Sequence, residues 1–439
     1  MFVRYLAIFV LLMTSTYYYI GTANSKILTY EQLVQEALIH SPILKPSDAR
    51  SNIMEKSIKL NDSYYFPTFE IKQKYLATSH PVNAFGMKLT KKELMASDFQ
   101  NIDKLNRPDA ENIHQTTLSI YIPIDISGSI GANKKVIENQ NGATELEKKW
   151  LEIEIRKNLY ALYYTNFNLV QLEDFLKRER KFLEGVAKSY DIKNSENKNR
   201  YLTYNHARII LEDIADGINS TRVERNKILE SVRYICGVAS VELSNVLPKD
   251  YNYSRHDEKE NTTLNRYDLL SMKKMMDVAS TSIIKEEKKY WPSLGVFAEY
   301  NITTGKFDHY ANDGTIGVGL TWNFGLSIPA SVSYFKANFM LSKTDYENKE
   351  MSVLSEIKKL KDELEQLEYK IGSMEKRHQL FEENKKILNY QYRRGSVDLY
   401  NMLDNFTHYL QNYSELQSKK SEYRSKLISY IMNFKQGVK

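Results

Sequence analysis

The stretch "IGVGLTWNFGLSIPA" (residues 316–330) changes its structural period part-way through. Ile316, Val318, Leu320, Trp322 and Phe324 alternate with Gly317, Gly319, Thr321 and Asn323, the pattern of a strand with one apolar face. Beyond Pro329 there is no further proline, and the hydrophobic spacing is helical almost to the C-terminus. A strand that feeds a very long helix therefore organises this part of the chain.

The same order of elements occurs twice in the chain. "SIGANKK" at Ser129 matches "SIPASVS" at Ser327, and "YYFPTFEIKQKY" at Tyr64 matches "KYWPSLGVFAEY" at Lys289. "YNHARI" at Tyr204 matches "YNMLDN" at Tyr400, and "RYICG" at Arg233 matches "SYIMN" at Ser429. Matches in one order at similar offsets argue for duplication. Each half reads as a helix (Leu28 to about Asn61, then Arg266 to Lys288), two alternating strands, and a long helical region. The other strands are carried by Phe69, Ile71 and Tyr75, by Leu118, Ile120, Ile122 and Ile124, and by Leu294, Val296, Ala298 and Tyr300. Pro123 falls inside one of them and is expected near a strand end or at an edge. The resulting division is 1–23 signal segment, 24–247 first repeat, 248–265 linker and 266–439 second repeat.

The long helices carry coiled-coil spacing. Ile357, Leu360, Leu364, Leu367, Ile371, Met374, His378 and Phe381 follow a 3-4 heptad seam with charges between them. His378 is expected as a polar core residue of that seam, since no second ligand sits at helical spacing. A helix from Ser129 to about Tyr190 would extend roughly 90 Å, too long and too charged to lie in lipid. The second helical region is interrupted at "YRRGSVDLYNMLD" (residues 392–404). There Gly395 suits a left-handed turn, and Arg393 and Arg394 suit the C-terminal end of the incoming helix.

Composition narrows the function. The net charge of +6 is spread along the chain without a basic arm, which argues against nucleic acid. The N-terminus, with Arg4, an apolar run and Gly21-Thr22-Ala23, has the pattern of a cleaved export signal. Cys236 is the only cysteine, so no internal disulfide forms. Past residue 24 no apolar run reaches spanning length, so any membrane embedding has to use strands. The eight histidines are scattered, and no phosphate loop or nucleophile-base pair is readable, so no catalytic residue, metal or cofactor is assigned.

The four alternating segments have the length of membrane strands. A soluble sheet packed on helices would alternate in the same way, and periodicity leaves both readings open. Tyr64, Tyr65, Tyr75, Tyr290, Trp291, Tyr300 and Trp322 cluster at strand ends, where amphipathic rings favour a headgroup boundary. A long polar connection joins the first two strands, as an outer-face loop would.

Taken together, Ser41-Pro42, "YYFPTF", "KYWPSL", "SIGA", "SIPA", "HPVNAFGMKL" and "YRRGSVDLYNMLDN" resemble the outer-membrane efflux and secretion channels of the TolC type. The likeness covers nearly the whole mature chain. It implies a mainly α, α+β fold: a homotrimer whose protomers each give four strands to one twelve-stranded barrel in outer-membrane lipid, continuous with a periplasmic α-helical barrel. It implies a passive, unlipidated duct rather than an enzyme, working in Gram-negative efflux or type I secretion. Its partners would be a periplasmic adaptor and an inner-membrane RND or ABC transporter.

The resemblance also implies sites. Tyr392-Arg393-Arg394-Gly395 matches the family's Tyr-x-x-Gly bend, which makes Arg393, Arg394, Gly395 and Ser396 an expected adaptor-docking tip. The first-half counterpart, which includes Asn199 and Arg200, lacks the glycine. The family's paired aperture carboxylates fall on Asn401 and Asp404, so only Asp404 keeps a charge; Tyr392 is grouped with them at the gate. An alternative is a non-channel periplasmic coiled-coil adaptor or scaffold with a soluble sheet.

Overall fold

The computed structural model describes residues 27–189, 198–247, 265–305 and 310–434. The expected signal segment, nearly all of the expected linker and residues 190–197 lie outside the described residues. In chain order the elements begin with β1 (Ile27–Leu28), α1 (Tyr30–His40), α2 (Lys45–Ser63), β2 (Thr68–Thr78), α3 (Pro81–Thr90), α4 (Ile102–Asn106) and β3 (Glu111–Ile124). Then come α5 (Ser129–Ser189), α6 (Lys198–Cys236), β4 (Glu242–Leu243) and α7 (Tyr267–Glu287). The chain closes with β5 (Ser293–Thr304), β6 (Tyr310–Thr321), α8 (Ser327–Arg393) and α9 (Leu399–Phe434). These elements gather into two compact units.

One unit takes Arg50–Thr144 and Met272–Tyr346 and contains the antiparallel sheet, ordered β2-β3-β5-β6. Pro123 lies next to the end of β3, which is an inner strand rather than an edge. Its neighbour on β5 is Gly295, while β2 pairs with β3 only as far as Thr68 opposite Tyr121. Its missing N–H therefore falls past the end of the β2 ladder. On one face Tyr121 lies over Gly295 and Phe297 over Gly317; a Cβ at either glycine would come within 2.6 Å of the ring.

The entry to α5 is fixed locally. Gly128 takes φ +70, and the Asp125 carboxylate accepts the backbone N–H groups of Ser129 (2.8 Å) and Ile130 (2.9 Å), donors a helix start leaves open. Buried Asn61 on α2 donates to the Ile130 carbonyl and accepts from Asn133, which fixes α2 beside α5. At the start of α8, Pro329 lies in the first turn, where its missing N–H is harmless.

The other unit takes the chain up to Ala49, Glu145–Ser271 and from Glu347 onward. Its interior has two main clusters. The first joins Leu33, Ala37, Leu159, Tyr160, Tyr163, Val232, Cys236 and Ile428. The second joins Phe175, Leu183, Ala207, Ile214, Leu403, Phe406 and Tyr409. The expected seam is real: Leu364, Leu367 and Met374 are buried and the other five positions half-buried. The single first helix expected from Leu28 to Asn61 is corrected to α1 and α2. Pro42 cannot continue the hydrogen-bond ladder, and Ser41 leaves the helical region at φ −57, ψ 125. The end of α6 packs there, with Gly237 at φ +66 so close that a Cβ would overlap the His40 carbonyl oxygen.

Candidate functional site

The sheet unit has two chemically distinct faces. Register places Phe69 opposite Ile120, Ile120 opposite Ala298, and Ala298 opposite Ile316. Ile71, Leu118 and Tyr300 form the next row, and Ile122, Val296 and Val318 another. This apolar face crosses all four strands and is open: Phe69 is 78% exposed, Ile71 75%, Ile316 83% and Val318 68%. The opposite face is polar. On it Gln115 and Thr117 donate to Asn301 Oδ1 at 3.0 and 2.7 Å, and Asn301 Nδ2 donates to Asp313 at 2.9 Å.

The expected boundary aromatics separate into two groups. Tyr65, Tyr290, Trp291 and Trp322 flank the end of the sheet where β2 and β5 begin, and Trp322 Nε1 donates to the Tyr290 carbonyl at 2.9 Å. Tyr75 and Tyr300 lie toward the other end; Tyr75 packs on His114, and the Tyr300 hydroxyl accepts from Asn312 at 2.9 Å. Tyr310 opens β6 at this second end and is 66% exposed, a member that position in the sequence did not mark.

In the helical unit, "YRRGSVDLYNMLD" is the reversal between α8 and α9. Gly395 takes φ +73, its N–H reaches the Tyr392 carbonyl (2.9 Å), and the Ser396 N–H reaches Gln391 (3.0 Å). That pair of bonds is a Schellman cap, which consumes carbonyls the helix end leaves open. Arg394 stacks over the Tyr390 ring at 4.5 Å, and Arg393, Arg394, Gly395 and Ser396 are all exposed.

The expected gate residues do not share one face. Asn401 and Asp404 lie one turn apart on the exposed side of α9, between the buried Met402, Leu403 and Phe406. Tyr392 instead packs against the hydrophobic cluster. Arg200 is exposed in the first turn of α6, which also contains Asn199.

A buried polar link near this tip was not legible in the sequence. Lys385 of α8 donates to the buried Glu179 of α5 at 2.6 Å, with its ammonium 4.7 Å from the Phe182 ring centre and 5.0 Å from that of Tyr409. Burial, then the Glu179 charge, push the Tyr409 phenol up. His378 stacks on Tyr409 at 5.0 Å, and burial pushes its imidazole down. Among the described residues no group of three or more metal-ligating side chains occurs, and no helix is long and apolar enough to cross a membrane.

No family model and no curated protein matches the sequence. Solved structures do. The chain superposes on CusC, a protein that forms a transmembrane channel, with TM-score 0.75 at 13% identity, covering 92% of this chain and 91% of CusC. For the MtrE outer-membrane channel of Neisseria gonorrhoeae in its open state, the values are 0.76, 12%, 92% and 88%. For the CmeC outer-membrane channel of Campylobacter jejuni they are 0.74, 17%, 93% and 87%. The fold is that of the TolC-type outer-membrane channels. Strand pairs alternating with long helices, met first as a sequence pattern, are thus the TolC-type plan, at identities where only the fold is shared.

Proposed function

We propose that this chain is an outer-membrane channel, a passive export duct built as a homotrimer. The observation that carries the reading is the sheet's open apolar face together with its two edges, β2 and β6, which pair with no further strand among the described residues. A broad exposed apolar surface needs a non-aqueous neighbour. Lipid satisfies that need but forbids open strand edges, so the sheet has to close with copies of itself. Four strands from each of three protomers would form a twelve-stranded barrel. Strands of 11 to 14 residues, tilted about 45°, match a hydrocarbon core of about 30 Å. The two groups of aromatic side chains would then lie at the two headgroup boundaries.

In this reading residues 24–247 and 266–439 are two structural repeats, and 1–23 is an export signal. The Arg393–Ser396 bend, with Asn199 and Arg200 at the first tip, docks a periplasmic adaptor, and an inner-membrane RND or ABC transporter supplies the energy. Asn401 and Asp404 line the aperture. Three Asp404 carboxylates around an axis favour cations, as charged rings do in other pores. No catalytic role is assigned to any residue.

The test is conductance in planar bilayers with purified protein, combined with cross-linking of the oligomer and membrane fractionation. Discrete pores, a trimer and outer-membrane recovery are expected. A protein recovered outside that membrane and silent in bilayers would instead be a periplasmic adaptor or scaffold. Asp404→Ala should lower cation selectivity, and unchanged selectivity would remove the acidic ring from the reading.

A further inference from the structure

The connection between β2 and β3, residues 79–110, is folded rather than loose. It contains α3, a single 3-10 turn and α4, and α3 packs against β3. Its basic and acidic side chains organise it internally. Lys88 donates to Asp98 at 3.1 Å, and the buried Lys91 donates to Glu111 at 2.9 Å and pairs with Glu93 at 3.0 Å. Lys92, the one non-glycine residue with positive φ among the described residues, extends to the Asn312 carbonyl at 3.1 Å.

Strand parity shows which face receives this segment. Glu111, Ile113, Gln115 and Thr117 alternate onto the side of β3 that carries the polar ladder, opposite the face of Leu118, Ile120 and Ile122. On β5 and β6 the same side carries Thr303 and Ala311. Ile113, Thr303 and Ala311 are buried, at 4%, 0% and 4% exposure. Asp313 and Thr315, further along the same side of β6, are exposed. Burial on the polar face at this end coincides with the anchors of the segment: the Lys91 side chain lies against Gly305, so closely that a Cβ there would sit 2.5 Å from it. Ala84 of α3 is also buried.

From this geometry we infer that residues 79–110 form an inward-folded cap that narrows the outer mouth and sets the size of solute able to enter from outside. The inference rests on the channel reading, in which the polar face lines the lumen. An outer-face loop that merely extended into solvent would leave Ile113, Thr303 and Ala311 open, whereas these side chains are covered. The cap is not packed solid. A cavity of about 310 Å³ lies between its helices, lined by Phe85, Lys88, Asp98, Lys104, Leu105 and Glu111 among others. The segment carries five basic and four acidic residues (Lys88, Lys91, Lys92, Lys104, Arg107 against Glu93, Asp98, Asp103, Asp109). With the charges nearly balanced, the cap discriminates by size rather than by charge.

The test introduces Thr315→Cys on the polar face in a Cys236→Ala background and labels intact cells from outside. Two membrane-impermeant maleimides are used, one small and one attached to a bulky polyethylene glycol. In the capped protein the small reagent should label Thr315→Cys and the bulky one should not. Thr78 pairs with Glu111, so residues 79–110 can be replaced by an Asn-Gly hairpin turn. That replacement should abolish the size discrimination. If the replaced protein does not reach the membrane, Lys91→Ala/Lys92→Ala, which removes the anchors to Glu111 and to the Asn312 carbonyl, takes its place with the same expectation. Equal labelling by both reagents with the cap intact, or unchanged discrimination once the anchors are gone, overturns the cap. Bilayer conductance of the wild-type protein reports the channel reading separately: pores with no size discrimination refute the cap alone, and no pores refute both.

Discussion

Replacing Lys385 with Met should destabilise the helical unit far more than replacing Lys385 and Glu179 together. Glu179 has only 7% of its side chain exposed, and its strong partner is the Lys385 ammonium at 2.6 Å; the Tyr409 hydroxyl is at 3.5 Å. Lys385→Met keeps most of the aliphatic packing against Phe182 and Phe406 but leaves a buried carboxylate without its cation. Breaking such a pair from one side costs about 3–5 kcal/mol. The lost contacts between the ammonium and the aromatic faces add about 0.5–1 kcal/mol each. In Glu179→Gln/Lys385→Met no charge remains, and replacing a whole buried pair is often close to neutral. The assay is the urea midpoint of the detergent-purified protein, read at one fixed protein concentration because an oligomer's stability depends on it. The double variant should recover most of the loss. If Lys385→Met alone is as stable as the double variant, the carboxylate is not desolvated and this account of the link fails.

Further outcomes follow from other residues. Gly395→Ala should lose about 1 kcal/mol, the cost of a left-handed L-residue, since nothing lies within 4 Å of its added Cβ. Gly237→Ala should lose about 1–3 kcal/mol more, because its Cβ would meet the His40 carbonyl oxygen; equal urea midpoints would contradict this. Burial holds the His378 imidazole below its usual range, against the Glu382 charge and with help from Lys420 and Lys385. A lowered folded value means stability is complete above about pH 6.5 and declines as pH falls through the folded value. His378→Leu should flatten that part of the acid-side midpoint profile, and an unaltered profile would refute the assignment. Burial, then the Glu36 charge, push the Cys236 thiol up to about 11, so aqueous disulfide reagents at pH 8 should react only after denaturation. Rapid reaction of the native protein would refute that burial.

The strands, the bend at Gly395 and the heptad seam could be read from the sequence because each is written in local periodicity or in one backbone requirement. Ile316 and Val318 alone fix which side of β6 is apolar. The seam from Ile357 to Phe381 is likewise a spacing of three and four. What escaped depends on contacts between distant positions. Glu179 and Lys385 are 206 residues apart, and nothing near either one marks the other as its partner. The packing of residues 79–110 on the polar face depends on Lys91 meeting Glu111 and Gly305, which composition describes only as a polar loop. Tyr392 sits in the Tyr-x-x-Gly bend as expected, and its packing against the hydrophobic cluster is a further contact that local sequence does not mark.

The shortest strands among the described residues, β1 and β4, bear on the order in which the protein can fold. Ile27 and Leu28 pair in parallel with Glu242 and Leu243, so the described chain begins in a ladder whose other half lies 215 positions later (242 minus 27). Leu28 and Val241 share one buried cluster with Tyr160 and Ile428, contributed by still more distant parts of the sequence. Contacts of such long range form slowly, because chain entropy has to be lost before they are rewarded. Helices α5 and α6 can form from local interactions while this corner stays open. The residues synthesised earliest in the described chain would then be among the last to reach their native partners, and during that interval they are exposed to proteases and chaperones.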